Sequence, residues 1–303
     1  MELSLTVLNQ VVIILLLMLV GYVSVKMEIL KEQGIKQFTT FVLYFVTPCV
    51  LIEAYQKEFN IEKAKLLGVA FLMAILLHVI VIVISNLVFR PNEDKTNRIN
   101  IFACAYSNCG FMAIPLLSTV LGDEGVFYGS AYLAVFSILT WTHGVYVYSR
   151  DKKRLSFKRA FINPGVLGTL ISLVLFVFSI KLPSYIGQTV SYIADLNTPL
   201  AMIIVGTFLA GVNVKELIKN KSFYLVTFIR LILAPLISVY LLKLFRVDLS
   251  IIKALTITAA CPVAGITALW ASIYGLDAKY ASPLVSVTTV LSVITIPLVV
   301  ILI

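Results

Sequence analysis

Apolar runs long enough to cross a bilayer follow one another along the whole chain, and the short segments between them hold most of the charged and turn-forming residues. A helix rises about 1.5 Å per residue, so about 20 apolar residues span the ~30 Å hydrocarbon core. On that criterion the pattern predicts ten helical spans, near 5–26, 35–56, 64–89, 98–121, 124–149, 160–181, 185–212, 221–245, 250–274 and 278–302. The longest polar link is "SRDKKRLSFKRA", Ser149 to Ala160. The first run, Leu5 to Val25, has no basic segment ahead of it, so it reads as a retained helix rather than a cleaved signal.

Composition agrees with this pattern. The chain has 303 residues, of which 60% are hydrophobic and 13% charged, with a mean hydropathy of +1.01. A soluble domain carries about 25% charged residues. Ten spans leave little room for a soluble domain, and the expected class is an all-α integral membrane protein in the cell membrane. The net charge of +9 lies in the links, where it sets topology and implies no nucleic-acid partner.

Of the 24 Lys and Arg residues, sixteen fall in or beside links 1–2, 3–4, 5–6, 7–8 and 9–10, seven on the opposite side, and Arg230 inside a span. The positive-inside rule places the first set in the cytoplasm and both termini outside. The central link, with Arg150, Lys152, Lys153, Arg154, Lys158 and Arg159, weighs most in that assignment.

The two halves echo one another. "YFVTPCVLI" in span 2 corresponds to "DLNTPLAMI" in span 7, pairing Thr47-Pro48 with Thr198-Pro199. The approach to span 5 corresponds to the approach to span 10, pairing Gly122 with Gly275. Five spans are an odd number, so two such halves run in opposite directions, as an inverted repeat.

The fourth span of each half is interrupted. "SNCGFMAIPLL" holds Asn108, Gly110 and Pro115, and "AACPVAGITALWAS" holds Pro262 and Gly265. Proline removes a backbone donor and glycine admits unusual dihedrals. Such a segment cannot face lipid, so it must be buried in protein or line a wet cavity. Each break starts a half-helix near the midplane, whose N-terminus carries about half a positive charge. Two such ends at one cavity suit an anion, typically a carboxylate, and the Asn108 amide can donate to it or cap a helix end.

Other polar groups in the spans are few. Arg230 is an accessory candidate that either meets substrate or holds a helix contact. Glu53 and Asp195 lie near span ends, and His78 and His143 are isolated. Only Thr267 and Ser272 offer hydroxyls beside the Pro262 break, so sodium coupling has no carboxylate in its support. Cys49, Cys104, Cys109 and Cys261 have no metal-site spacing, and neither metal nor cofactor is expected. No GxSG, HExxH or intramembrane acidic cluster suggests an enzyme.

At these residues the sequence resembles the auxin efflux carrier family. "NCGFMAIPLL" is similar to its span-4 motif, "FINPGVLG" to the start of its span 6, and "TPCVLI" to its span-2 proline segment. "CPVAGITALWASIYGLDAKYAS" followed by "LSVITIP" is similar to its C-terminal half, so the resemblance covers essentially the whole chain. It implies two inverted five-helix repeats with crossed, broken helices 4 and 9, related in fold to bile-acid/sodium symporters. The division expected is 1–149, a basic cytoplasmic loop at 150–159, and 160–303, with helices 1, 2, 6 and 7 as scaffold and the others as a moving transport domain. The implied substrates are organic anions: auxin in plant carriers, malate or malonate in bacterial ones. The chain lacks the long central loop of many plant members and looks like a compact prokaryotic one.

The candidate substrate site is therefore Asn108, Cys109, Gly110, Phe111, Pro115, Pro262, Val263 and Gly265, with Arg230 and Thr267 as accessories. The expected function is secondary transport of a small organic anion by elevator-type alternating access. A sodium-coupled symporter of amphipathic anions is the alternative, with a channel or receptor behind it. Proton coupling and a homodimer stay open as partners, beside the substrate and the lipid bilayer.

Overall fold

The computed structural model describes residues 2–90, 94–151, 158, 161–210 and 220–303. Lys152, Lys153, Arg154 and Arg159 of the central basic link lie outside the described residues. The described chain forms α1 (Glu2–Lys26), α2 (Glu32–Ala54), α3 (Ile61–Phe89), α4 (Lys95–Ala105), α5 (Cys109–Ser149), α6 (Pro164–Val177), α7 (Ser184–Leu209), α8 (Lys221–Leu244), α9 (Leu249–Ala260), α10 (Ile266–Ile273) and α11 (Ala278–Ile301). Six of them, α2, α3, α5, α7, α8 and α11, are long and apolar enough to cross a membrane; Val12–Lys26, α6 and α9 are shorter apolar helices. Among the described residues the only β pairing is one isolated bridge.

Helix starts follow from side chains that accept the first free amides. Asn60 caps α3 through Glu62 N (2.8 Å), Asp94 caps α4 through Thr96 N (2.8 Å), and Asp248 caps α9 through Ser250 N (2.8 Å). Asn220 does the same for α8 through Ser222 N at 2.9 Å. Asn163 accepts from Val166 N at 3.1 Å with Pro164 in the first turn, so α6 begins at 164, not at the predicted 160. Helix exits use left-handed residues: Glu28 after α1, Arg90 after α3, Ser179 after α6 and Arg246 after α8, with φ of 60°, 44°, 51° and 52°. Gly122 (φ 63°) bends α5 and Gly275 (φ 67°) follows α10, a backbone region that glycine enters without steric cost.

Several prolines sit inside helices without breaking them, Pro283 and Pro297 of α11 among them. Three follow a five-residue π turn that ends two residues earlier: Val42–Val46 before Pro48, Cys109–Ala113 before Pro115 and Ile229–Leu233 before Pro235. The wider turn shifts the hydrogen-bond register by one residue ahead of the position where proline has no N–H to give. The sequence reading set Pro115 in the interruption of span 4; the chain instead leaves the helix at Tyr106–Asn108, and Pro115 lies inside α5.

The tightest helix contact joins α1 to α7. A Cβ on Gly21 would stand 1.9 Å from the Ile203 carbonyl oxygen, and one on Gly206 would stand 1.9 Å from that of Met18. The contact is reciprocal, with small residues letting the two backbones meet. α2 packs on α6 in the same manner, Gly168 lying over Pro48 and Leu51. Aromatic clusters close the bundle. Tyr55, Phe127 and Phe176 join α2, α5 and α6, with Tyr55 Oη 2.6 Å from Ser130 Oγ. Phe102, Tyr148 and Trp270 join α4, α5 and α10.

Links cluster at the ends of the bundle. Glu58, after α2, pairs with Lys181, after α6, at 2.8 Å, and that hydrogen bond holds the Glu58 carboxyl below its usual pKa. Beyond the far end of α3, Lys95 donates to the Gly275 carbonyl at 3.3 Å.

Gly206→Ala is expected to force α1 and α7 apart, at a cost of about 1–3 kcal/mol, and to lower the melting temperature of the purified protein by several degrees. Gly187→Ala, on the same helix but with nothing within 4 Å of the new methyl, serves as control. Equal melting temperatures for the two variants would refute the close crossing.

Candidate functional site

α4 ends because Tyr106 turns extended (φ −116°, ψ 114°) after its N–H closes the last turn on Phe102 O at 3.0 Å. α9 ends because Pro262 disfavours helix at the residue before it, and Cys261 is extended (φ −63°, ψ 150°). The two freed segments lie antiparallel, with Ser107 opposite Val263. Asn108 N donates to Pro262 O at 2.8 Å and Ala264 N donates to Tyr106 O at 3.1 Å. A full ladder would add two reciprocal bonds. Pro262 has no N–H to give, and that of Tyr106 is already spent in α4. Val263 N finds Thr288 Oγ1 of α11 at 3.3 Å.

Two of the carbonyls left behind, one at each helix end, are met by a side chain. In an unbroken helix Cys104 O would accept from Asn108 N, and Ala259 O from Val263 N. Both amides have turned to other partners. Arg230, fully buried in the π turn of α8, takes up these two acceptors: Nη1 donates to Cys104 O at 3.0 Å and Nη2 to Ala259 O. Each acceptor is the penultimate residue of its helix, one from each half of the chain. Arg230 makes no ion pair among the described residues.

Beyond the crossing two helices begin. α5 starts at Cys109 and α10 at Ile266, so each interrupted span presents a helix N-terminus beside the crossed strands. Asn108 is 4% exposed and its side chain does not cap α5. Cys109, Pro262 and Val263 are buried, while Gly110, Phe111 and Gly265 are partly exposed. Thr267, in the first turn of α10, is buried with its hydroxyl unpartnered. The opposing wall comes from α2 and α7: Phe111 packs with Val42, Val46 and Ile204, and Phe208 lies 3.4 Å from where a Cβ on Gly265 would be. Of the candidate residues, only Pro115 is set back along a helix.

Several further polar residues adjoin the crossing, of which the sequence singled out only the two histidines. The Tyr132 side chain lies against Ser107 and Arg230, and the His78 ring packs against it at a tilt of 45°, centroids 4.2 Å apart, with Nδ1 2.8 Å from Ala74 O. His143 Nδ1 lies 2.9 Å from the Tyr106 hydroxyl. Asn197 in α7 and Thr47 in α2 are buried polar residues, both amide atoms of the first and the hydroxyl of the second without partners. A separate cavity of about 230 Å³ lies between α1, α2 and α7, lined by Val20, Ile29, Phe38, Leu200, Ile203 and others. Its walls are almost wholly apolar and offer a carboxylate no fixed donors. The crossing is therefore the better-equipped site. No group of three or more His, Cys, Asp or Glu side chains suited to a metal occurs among the described residues.

Discontinuous helices that meet inside a lipid-facing bundle are the architecture of membrane transporters. Residues 6–300 match the sequence model of a family described as membrane transport protein, and the chain belongs to that family, the auxin efflux carriers. It is 26% identical over 307 residues to an uncharacterized transporter of Methanocaldococcus jannaschii, covering 95% of this chain and 96% of that one. It is 24% identical over 303 residues to an uncharacterized transporter of Methanothermobacter thermautotrophicus, covering 94% of each.

Thr288→Val removes the acceptor for Val263 N–H and is expected to cost about 1–3 kcal/mol, the penalty of a buried unpaired amide. Thr289→Val is the matched control, since its hydroxyl only returns to Val285 O in its own helix at 2.8 Å. Thermal unfolding of both variants checks the difference, and equal stability would show that the crossing does not depend on that bond.

Proposed function

We propose that this transporter is a secondary carrier of small organic anions, holding a carboxylate at the crossing of its two interrupted helices. The observation that carries the reading is the meeting of two helix N-termini with the uncapped amide of Asn108. Each helix end contributes about half a positive charge from its free N–H groups. The amide can add a directed donor without the desolvation cost of a buried Lys or Arg. Cys109, Gly110, Phe111, Pro262, Val263 and Gly265 line this place, Thr267 offers a hydroxyl, and Pro115 shapes the helix behind it.

An inverted repeat of ten spans is the framework we infer. Its support is the spacing of matching backbone features: residues of positive φ lie 151 (28 to 179), 153 (122 to 275) and 156 (90 to 246) residues apart. The contacts of α1 with α7 and of α2 with α6 fit a scaffold of spans 1, 2, 6 and 7, and residues 1–149 and 160–303 would be the two halves. The remaining spans, with the crossing, would move against that scaffold as an elevator. The Lys and Arg distribution supports both termini outside.

The test is uptake of labelled malate, malonate and indole-acetate into proteoliposomes. Loss of one hydrogen bond to a carboxylate costs about 1.5–3 kcal/mol. Asn108→Ala is therefore expected to weaken apparent affinity about 10- to 100-fold. Wild-type affinity in the variant would remove Asn108 from the site, and no saturable flux of any carboxylate in the parent protein would overturn the reading.

A further inference from the structure

Sodium-coupled carriers bind their ion with backbone carbonyls freed at broken helices and at half-helix C-terminal ends. This chain contains such a place, where the C-terminal ends of α4 and α9 converge, and a guanidinium already fills it. The geometry points to Arg230 as a resident cation: a permanent charge, covalently part of the carrier, that occupies the position an alkali-metal ion would take at the crossing. Transport then proceeds without sodium. The inference rests on the crossing being the transport site, and it selects against the sodium-symporter alternative.

Three observations support it. The first is the bridging geometry. Each helix end leaves several carbonyls without an intrahelical donor, and one guanidinium reaches across both ends, its two terminal nitrogens donating to Cys104 O of α4 and Ala259 O of α9. The second is charge. A helix C-terminus carries about half a negative charge, so two converging ends nearly balance one Arg, and the described residues place no carboxylate in an ion pair with it. The third is burial. Arg230 is fully buried, and its planar guanidinium presents donors only, in a fixed fork that matches carbonyl acceptors on two sides.

Arg230 is in this view a positioning residue that acts through the two helix ends. With its charge balanced by the C-termini, the positive field left for substrate is that of the two N-termini, about one elementary charge in total. The site is matched to a single carboxylate group.

The experiment compares thermal unfolding and carboxylate flux in equal concentrations of sodium, potassium and choline chloride. For the wild type, melting temperature and flux are expected to be the same in all three salts. A sodium-specific rise in either would overturn the inference. Arg230→Met keeps the stem and removes the charge; it is expected to melt lower than wild type and to regain part of the loss in sodium or potassium but not in choline. A wild-type melting temperature, or a loss that no cation changes, would overturn the resident-cation assignment. If Arg230→Met is not recovered, Arg230→Lys takes its place: one ammonium cannot reproduce the two-pronged contact, so a lower melting temperature is expected, and an unchanged one counts against the inference. Melting is measured without substrate. A parent protein that carries no carboxylate therefore refutes the transport reading and leaves the cation test standing.

Discussion

A bare backbone N–H or C=O in hydrocarbon costs several kcal/mol, and every spanning helix escapes that cost by bonding to itself. Two helices in this protein give up that arrangement near their middles. Each break is tolerable only because the other exists. Asn108 N–H goes to Pro262 O, Ala264 N–H goes to Tyr106 O, and Arg230 takes the carbonyls of Cys104 and Ala259. The crossing is a set of exchanges between the two breaks, and the rest of the fold holds its members in place: α8 delivers Arg230, α11 delivers Thr288 for Val263 N–H, and α5 delivers Tyr132 beside Ser107.

This arrangement separates two kinds of electrostatics within a few residues. The helix ends that point negative are matched by a fixed guanidinium and sealed inside the bundle. The ends that point positive face Phe111, Phe208 and the partly exposed glycines, beside α2 and α7. In the proposed carrier reading, an anion is held by helix dipoles and one amide, none of which needs to change protonation. Dispersed partial charges bind more weakly than a buried Lys would, which suits a carrier that must also release its cargo.

Proline and glycine act differently across the chain. Pro48, Pro115 and Pro235 are absorbed by π turns and leave their helices continuous. Pro262 has no such turn ahead of it and ends α9 outright. Gly21 and Gly206 serve packing, while Gly122 and Gly275 serve backbone conformation. Residue identity alone does not separate these roles, because the outcome depends on whether a partner backbone is near enough to take over the lost bonds.

The hydropathy pattern determined that the chain is a helical membrane protein, and the paired breaker clusters marked where it would be interrupted. Motifs at those same places identified the family, which the match across residues 6–300 bears out. The sequence also singled out Arg230 as a membrane-embedded charge and Asn108 as the polar residue of the break. It did not show that the break falls at Tyr106–Asn108 with Pro115 inside a helix, that Arg230 spans both helix ends, or that Thr288, Tyr132 and His78 adjoin the crossing. Apolar periodicity is local and survives in any window of some twenty residues. A hydrogen bond between residues 108 and 262, or from 230 to 104 and 259, links positions that are neighbours only after the helices have packed, and only the tertiary structure could decide them.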